Sequence, residues 1–296
     1  MDIPSDVMGI YLTDICNYKC IFCSVDNPSK KGESIILEDI FKILDMNKTN
    51  NYEGVALWGG EPTVRKDFFE ILEKIKSYNF SRVIIETNGS NLSDTEFLKR
   101  TLDNGVNYFI ISIHGASSEV QDSISLVDGS FDKIIKTIKN LKKNNMPVRT
   151  NTVVNKLNYH QLPEIVEMLI ELDVDHINIS ALRNIGTAAR NMKMVTPTFT
   201  EVDEYVAEAF EKVLGAKKGL TFDVFPFCRI KGYENYQLKW SNYKMFYGDK
   251  VVDDFSEFTN KLKTKGKVCR KCNYIEECGG VFRGYIDLYG WDEFGY

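Results

Sequence analysis

Apolar and polar positions follow two alternating patterns over most of the chain. Short apolar runs rich in β-branched residues read as strands: Gly9–Ile15, Gly54–Gly59, Arg82–Thr87, Tyr108–His114, Val148–Val154 and His176–Leu182. Between them, apolar residues recur every three or four positions. "LEDIFKILDMN" puts Leu37, Ile40, Phe41 and Leu44 on one helical face, and "KDFFEILEKIKSY" does so with Phe68, Ile71, Leu72 and Ile75. "FDKIIKTIKNLKKN" and "LPEIVEMLIEL" repeat the pattern, Ser93 and Asp94 mark a helix start before "TEFLKR", and residues 200–217 read as one more helix. Six β–α units in succession predict an α/β fold with parallel strands and right-handed crossovers, either an open sheet or a full or partial barrel. In each, chemistry gathers at the C-terminal strand ends, which puts Cys16, Gly59, Thr87, His114 and Arg183 on one rim.

After residue 218 the pattern changes. Residues 219–296 are rich in Gly, Tyr and Phe and carry four of the seven cysteines. Two parts are therefore expected, 1–218 and 219–296. A chain of 296 residues with 43% hydrophobic residues can bury a sizeable core. Its net charge of −5 does not favour nucleic acid. No apolar run has the length of a membrane helix, and the polar start "MDIPSDVMG" does not read as a signal peptide. The expected location is the cytoplasm, where clustered thiols are metal ligands or catalysts before they are disulfides.

Two thiol clusters stand out. Cys16, Cys20 and Cys23 form C-x3-C-x2-C at the end of the first strand. Three thiolates can hold three irons of a 4Fe–4S cubane and leave the fourth open. Buried small hydrophobes, or a zinc site with a fourth ligand from elsewhere, are the alternatives. Cys269, Cys272 and Cys278 form C-x2-C-x5-C, with Cys228 upstream. Four thiols suit zinc or a cubane.

"CNYKCIFC", with Phe22 before its last cysteine, resembles the signature of the radical S-adenosylmethionine (radical SAM) superfamily. "WGGEPTVR" at the second strand end resembles that family's glycine–glycine–glutamate–proline motif, with Gly59 and Gly60 permitting close approach and Glu61 able to accept from an amine. "ETNGS" (Thr87) and "ISIHG" (Ser112) resemble its third- and fourth-strand segments beside SAM. The resemblance covers about residues 9–185. It implies a partial, six-unit (β/α) barrel whose open iron is chelated by SAM. Reductive cleavage then yields a 5′-deoxyadenosyl radical that abstracts a substrate hydrogen. Relatives often carry an arginine after the fourth-strand motif for the SAM carboxylate. "DSISLVDGSFDK" has none, leaving Arg149 or Arg183 as stand-ins.

In that setting the tail resembles a SPASM extension shortened to its "twitch" form. Phe282 stands where a further cysteine would continue the pattern, so one auxiliary 4Fe–4S cluster on Cys228, Cys269, Cys272 and Cys278 is implied. The rival is a three-thiol auxiliary site with Cys228 as a free hydrogen-atom donor. The resemblance further implies an electron donor such as flavodoxin or ferredoxin. The expected activity is maturation of a ribosomally made peptide or protein, aided by a separate recognition protein or by direct docking on the barrel mouth, because Cys16 lies too early for a leader-binding domain. The alternatives are a small-molecule dehydrogenase or cyclase, and a non-enzymatic zinc- or cluster-binding module. RNA modification ranks below these.

Weaker features read as structure. His114, His160 and His176 form no metal-spaced set. Phe222, Phe225, Phe227, Tyr233, Tyr236, Trp240, Tyr243, Phe246 and Tyr247 fit core packing or a docking face, and could line a pocket. The basic run Lys261–Lys271 fits a solvated face or the surroundings of an anionic cluster.

Overall fold

The computed structural model describes residues 6–25, 34–240 and 243–295. The six expected strands form: β1 (Val7–Tyr11), β2 (Gly54–Trp58), β3 (Arg82–Thr87), β4 (Tyr108–Ser112), β5 (Val148–Val153) and β6 (His176–Ser180). Each pairs in parallel with the next. The expected helices follow, at Leu37–Asp45, Phe68–Lys76, Thr95–Asp103, Ser130–Lys143, Leu162–Glu171 and Phe199–Gly215. Asp94 caps one by accepting from the Phe97 amide at 2.8 Å. Thr198 and Glu201 form a capping box on another.

The segment beyond residue 218 extends this sheet. Strand β7 (Gly219–Asp223) pairs in parallel with β6, and β8 (Lys244–Tyr247) pairs in parallel with β1. Strand β9 (Lys250–Val252) folds back antiparallel on β8. Among the described residues the sheet has nine strands, in the order β7-β6-β5-β4-β3-β2-β1-β8-β9. A small antiparallel pair, β10 (Lys263–Thr264) and β11 (Val281–Phe282), stands apart from it.

Period-two alternation divides the side chains between two faces. Met8, Ile10, Val55, Leu57, Val83, Ile85, Phe109 and Ile111 pack outward against the helices in the main core. Val7, Ala56, Ile84, Tyr108, Ile110 and Met245 form a second cluster on the inner face. The aromatics of the tail divide similarly. Phe222 and Phe246 are fully buried core, whereas Trp240, Tyr243 and Tyr247 line a cavity.

Candidate active site

The first strand ends at Tyr11, so the cysteines sit on a loop that has already left the sheet. The glycines after β2 explain that departure. The Gly60 amide donates to the Thr13 carbonyl (2.6 Å) and the Glu61 amide to the Ile15 carbonyl (2.9 Å). A Cβ on Gly59, which has φ +140°, would stand 2.5 Å from the Thr13 oxygen, and one on Gly60 would strike the Ile15 oxygen. Two residues without side chains are required because backbone crosses backbone here.

The rest of the thiol loop is tied to three other elements. Lys19 and Ile21 amides donate to Ser125 and Ile124 carbonyls, at 2.9 and 3.1 Å. The Ala188 amide donates to the Cys23 carbonyl (3.1 Å), and Asn191 Nδ2 to the Ile21 carbonyl (2.8 Å). Asn88, after β3, donates to Asn17 Oδ1 (2.8 Å) and lies 3.8 Å from Cys16 Sγ. Phe22 packs edge-on against His114, with centroids 4.8 Å apart. The Val153 amide donates to His114 Nδ1 (3.2 Å), which leaves the ring proton on Nε2. Burial pulls the His114 pKa down to about 3, so the ring is neutral at physiological pH.

Cys16, Cys20 and Cys23 line one cavity of about 610 Å³ at the C-terminal strand ends. Burial pushes the Cys16 thiol up to about 12 and the Cys20 thiol well above its ordinary value, so free thiols here are neutral. Amides nevertheless point at two sulfurs: Tyr18 N–H to Cys16 and Val25 N–H to Cys23, both at 3.4 Å. Donors aimed at sulfur in a desolvated loop suit thiolates bound to a metal cluster. Among the described residues, no group of three or more His, Cys, Asp or Glu is gathered tightly enough for a single metal ion. A cubane asks for less convergence, because each thiolate takes its own iron.

Phe22, Gly59, Gly60, Thr87 and Ser112 line the same cavity, as does Arg183. Glu61 does not. Its carboxylate is wholly buried behind the wall, with Oε1 accepting from the Thr63 amide (3.1 Å), Thr63 Oγ1 (2.6 Å) and Thr87 Oγ1 (2.7 Å). Oε2 accepts from the Asn88 amide (2.7 Å). As placed, Glu61 serves the two turns beneath the cofactor position and does not present an acceptor to an amine. Glu61→Ala is therefore expected to cost about 3 kcal/mol of stability by orphaning buried donors. SAM binding should weaken together with the urea midpoint. Weakened SAM binding at unchanged stability would instead mark direct contact.

The polar side of the cavity is not apparent from the motifs. Arg149 and Asn151 from β5, Asn178 and Ser180 from β6, and Asp223 from β7 all face it. Arg149 donates to Asn178 Oδ1 (3.2 Å) and Thr221 Oγ1 (2.9 Å). Arg183 pairs with Asp223 at 2.7 Å, and Trp240 Nε1 donates to the same carboxylate at 2.9 Å. These partners hold Asp223 below the usual carboxylate range despite burial. The two arginines offered by the sequence as SAM partners are thus both engaged within the wall.

Cys228, Cys269, Cys272 and Cys278 line a second, small cavity of about 30 Å³, with Lys265 and Val281. The Gly280 amide points at Cys278 Sγ at 3.4 Å. Strand β11 contributes a residue to each cavity. Phe282 faces the large one, and Val281 faces the small one.

A model of the radical SAM superfamily matches residues 10–169, the stretch that carries the thiol loop and the four strand-end motifs. The chain belongs to that superfamily. It is accordingly a radical SAM enzyme, and a 4Fe–4S cluster and SAM are its cofactors. Cys16, Cys20 and Cys23 bring three thiols to the large cavity.

Among similar sequences, a probable GTP 3′,8-cyclase of Saccharolobus islandicus is 31% identical over 206 residues, covering 69% of this chain and 65% of that protein. One of Saccharolobus solfataricus is 30% identical over 218 residues, covering 73% and 69%. The match thus spans about two thirds of these relatives' length. In fold, the chain is similar to Streptococcus suis SuiB bound to S-adenosylmethionine, with a TM-score of 0.69 at 17% identity, covering 95% of this chain and 74% of that one. It is similar also to anSMEcpe with bound AdoMet and peptide, with a TM-score of 0.67 at 17% identity, covering 94% and 89%. Among the described residues no helix is long and apolar enough to cross a membrane.

Proposed function

We propose that this enzyme abstracts a hydrogen atom from one side chain of a ribosomally made peptide or protein. The observation that carries the reading is the size of the cavity. About 610 Å³ must hold the cluster on the three thiols, SAM and the reacting part of the substrate. SAM fills most of such a space, so what remains suits a side chain reaching in from a chain that stays outside. Phe258, 44% exposed, stands at the rim as a contact for that outer part. The fold likeness to SuiB and anSMEcpe, which extends over the C-terminal segment, supports the same reading.

In this reading Cys16, Cys20 and Cys23 hold the cluster that binds SAM. Cys228, Cys269, Cys272 and Cys278 hold one auxiliary cluster of the twitch kind within the 219–296 segment. With SAM bound, the first cluster supplies a 5′-deoxyadenosyl radical at the strand ends. The chain's own residues do the rest. Gly59 and Gly60 clamp the thiol loop, the Thr87 hydroxyl ties Glu61 to the turn at Gly89 behind the wall, and Ser112 lines the cavity. The aromatic wall excludes water from it. Electrons come from a flavodoxin or ferredoxin, and a separate protein can present the peptide.

A second reading, a small-molecule cyclase, is favoured by the relatives named GTP 3′,8-cyclase and by Arg149 and Arg183 in the wall. One experiment separates the two. Anaerobically reconstituted protein with SAM and dithionite is offered GTP in one arm. In the other it receives the peptide encoded by any short reading frame found beside its gene. The expected result is peptide-dependent 5′-deoxyadenosine and a changed peptide mass. GTP-dependent turnover without any peptide effect replaces the first reading with the second.

A further inference from the structure

Glu86 stands on β3, one residue before the Thr87 that meets Glu61. Its strand neighbours on the inner face are apolar: Ile84 on β3, Ala56 and Trp58 on β2, and Tyr108 and Ile110 on β4. Ile110 is its direct cross-strand partner. A carboxylate among such residues costs stability unless something pairs with it. The other charged groups of the cavity have partners. Asp223 has Arg183 and Trp240, Arg149 has Asn178 and Thr221, and Asp14 accepts from the Tyr11 hydroxyl at 2.5 Å. Glu86 lines the cavity and, among the described residues, makes no hydrogen bond or ion pair within 4 Å. Arg149 and Arg183 act on it from a distance, but burial outweighs them and raises its pKa.

Aromatic rings occupy much of the remaining wall. Tyr11, Trp58 and Tyr247 are in mutual contact, with centroids 5.0 to 5.7 Å apart. Phe255 and Trp240 continue the surface at 6.1 and 5.4 Å. All five line the cavity with Glu86. Ring faces attract cations, and a carboxylate lining the same cavity can complete a cation site; because the Arg183 guanidinium already lies 5.6 Å from the Phe255 ring, that site falls to Tyr11, Trp58, Tyr247 and Trp240.

We infer that Glu86 and the aromatic wall of the large cavity receive a substrate group carrying a cationic nitrogen, an ammonium or a guanidinium. On the peptide reading that group is a lysine or arginine side chain, and on the small-molecule reading it is an amine. Glu86 then decides which side chain enters, while the thiol loop and its cofactors decide what happens there. The inference rests on the proposed function only for the source of the cation.

The test uses the reconstituted holoenzyme, anaerobic, saturated with SAM and without reductant. Calorimetry measures binding of n-butylammonium and n-butylguanidinium, with n-butanol as the neutral control. At least one cation is expected to bind at least about tenfold more tightly than butanol, and Glu86→Gln should abolish that preference. Glu86→Ala is a second variant. Iron content and melting temperature show that both are folded. A tripeptide with a central lysine or arginine and blocked ends binding more tightly than the fragment assigns the cation to a peptide. Equal binding assigns it to a small amine. The inference is overturned if the cations bind no better than butanol, or if Glu86→Gln leaves their preference intact. It is overturned equally if Glu86→Gln weakens SAM and not the cations, since Glu86 would then belong to the cofactor.

Discussion

Replacing Cys16, Cys20 and Cys23 together by alanine is expected to abolish 5′-deoxyadenosine formation with dithionite while leaving a folded protein. The loop is held chiefly by backbone contacts, from Gly60, Glu61, Lys19, Ile21 and Ala188, and by the Asn191 and Asn88 amides. None of these uses a sulfur as its main partner. Loss of three small, partly exposed side chains removes little packing. The three sulfurs are also the only thiols that line the large cavity among its described residues, so no cysteine there can replace them. Iron should fall from roughly eight to roughly four per chain if the tail holds a second cubane. Continued reductive cleavage of SAM by the triple variant would show that the active cluster is elsewhere. Complete loss of iron would remove the auxiliary site from the tail.

Much of this site was legible because its signals are local. Cysteine spacing, paired glycines and a strand's period-two pattern all lie within a few residues, and each motif closes a strand that forms where the apolar run predicts. Strand ends were less certain. Leu12 and Ile15 continue the strand pattern past Tyr11, but the Thr13 and Ile15 carbonyls are captured by the turn after β2 and the chain leaves the sheet. The placement of β8 beside β1 was not legible at all. Lys244–Tyr247 follows a polar, Tyr-containing stretch, and nothing local announces a partner more than two hundred residues earlier. Glu61 shows a different limit. A glutamate in a ligand-binding motif reads as a ligand, yet four donors from two turns consume its oxygens. The polar wall did leave a trace. "VRTN" and "HINIS" put Arg149 and Asn151, then Asn178 and Ser180, at alternate positions within buried strands. Polar residues at period two in a parallel strand mark the face that meets a cavity.

Cys228→Ala is expected to strip the auxiliary iron and lower thermal stability, with iron falling by about half. The structure brings Cys228 to the same small cavity as Cys269, Cys272 and Cys278, although forty residues of sequence lie between Cys228 and Cys269. Burial raises its thiol, and the neighbouring Cys278 and Cys269 raise it further if they ionise. A thiol so placed is stable as a neutral group or as one of several ligands on a shared metal site. It lines the small cavity and not the large one, so a hydrogen-atom donor at this position would not face the space proposed for the substrate. If all seven cysteines are ligands, no thiol remains to return a hydrogen atom. The product should then be oxidised, by crosslinking or dehydrogenation, and not inverted at a stereocentre. Iron and sulfide analysis of the variant, alongside the mass of the product, checks both halves of the argument. A Cys228→Ala protein that keeps its full iron, still cleaves SAM and stalls before product would make Cys228 the hydrogen donor. Epimerisation would then become the reaction to seek.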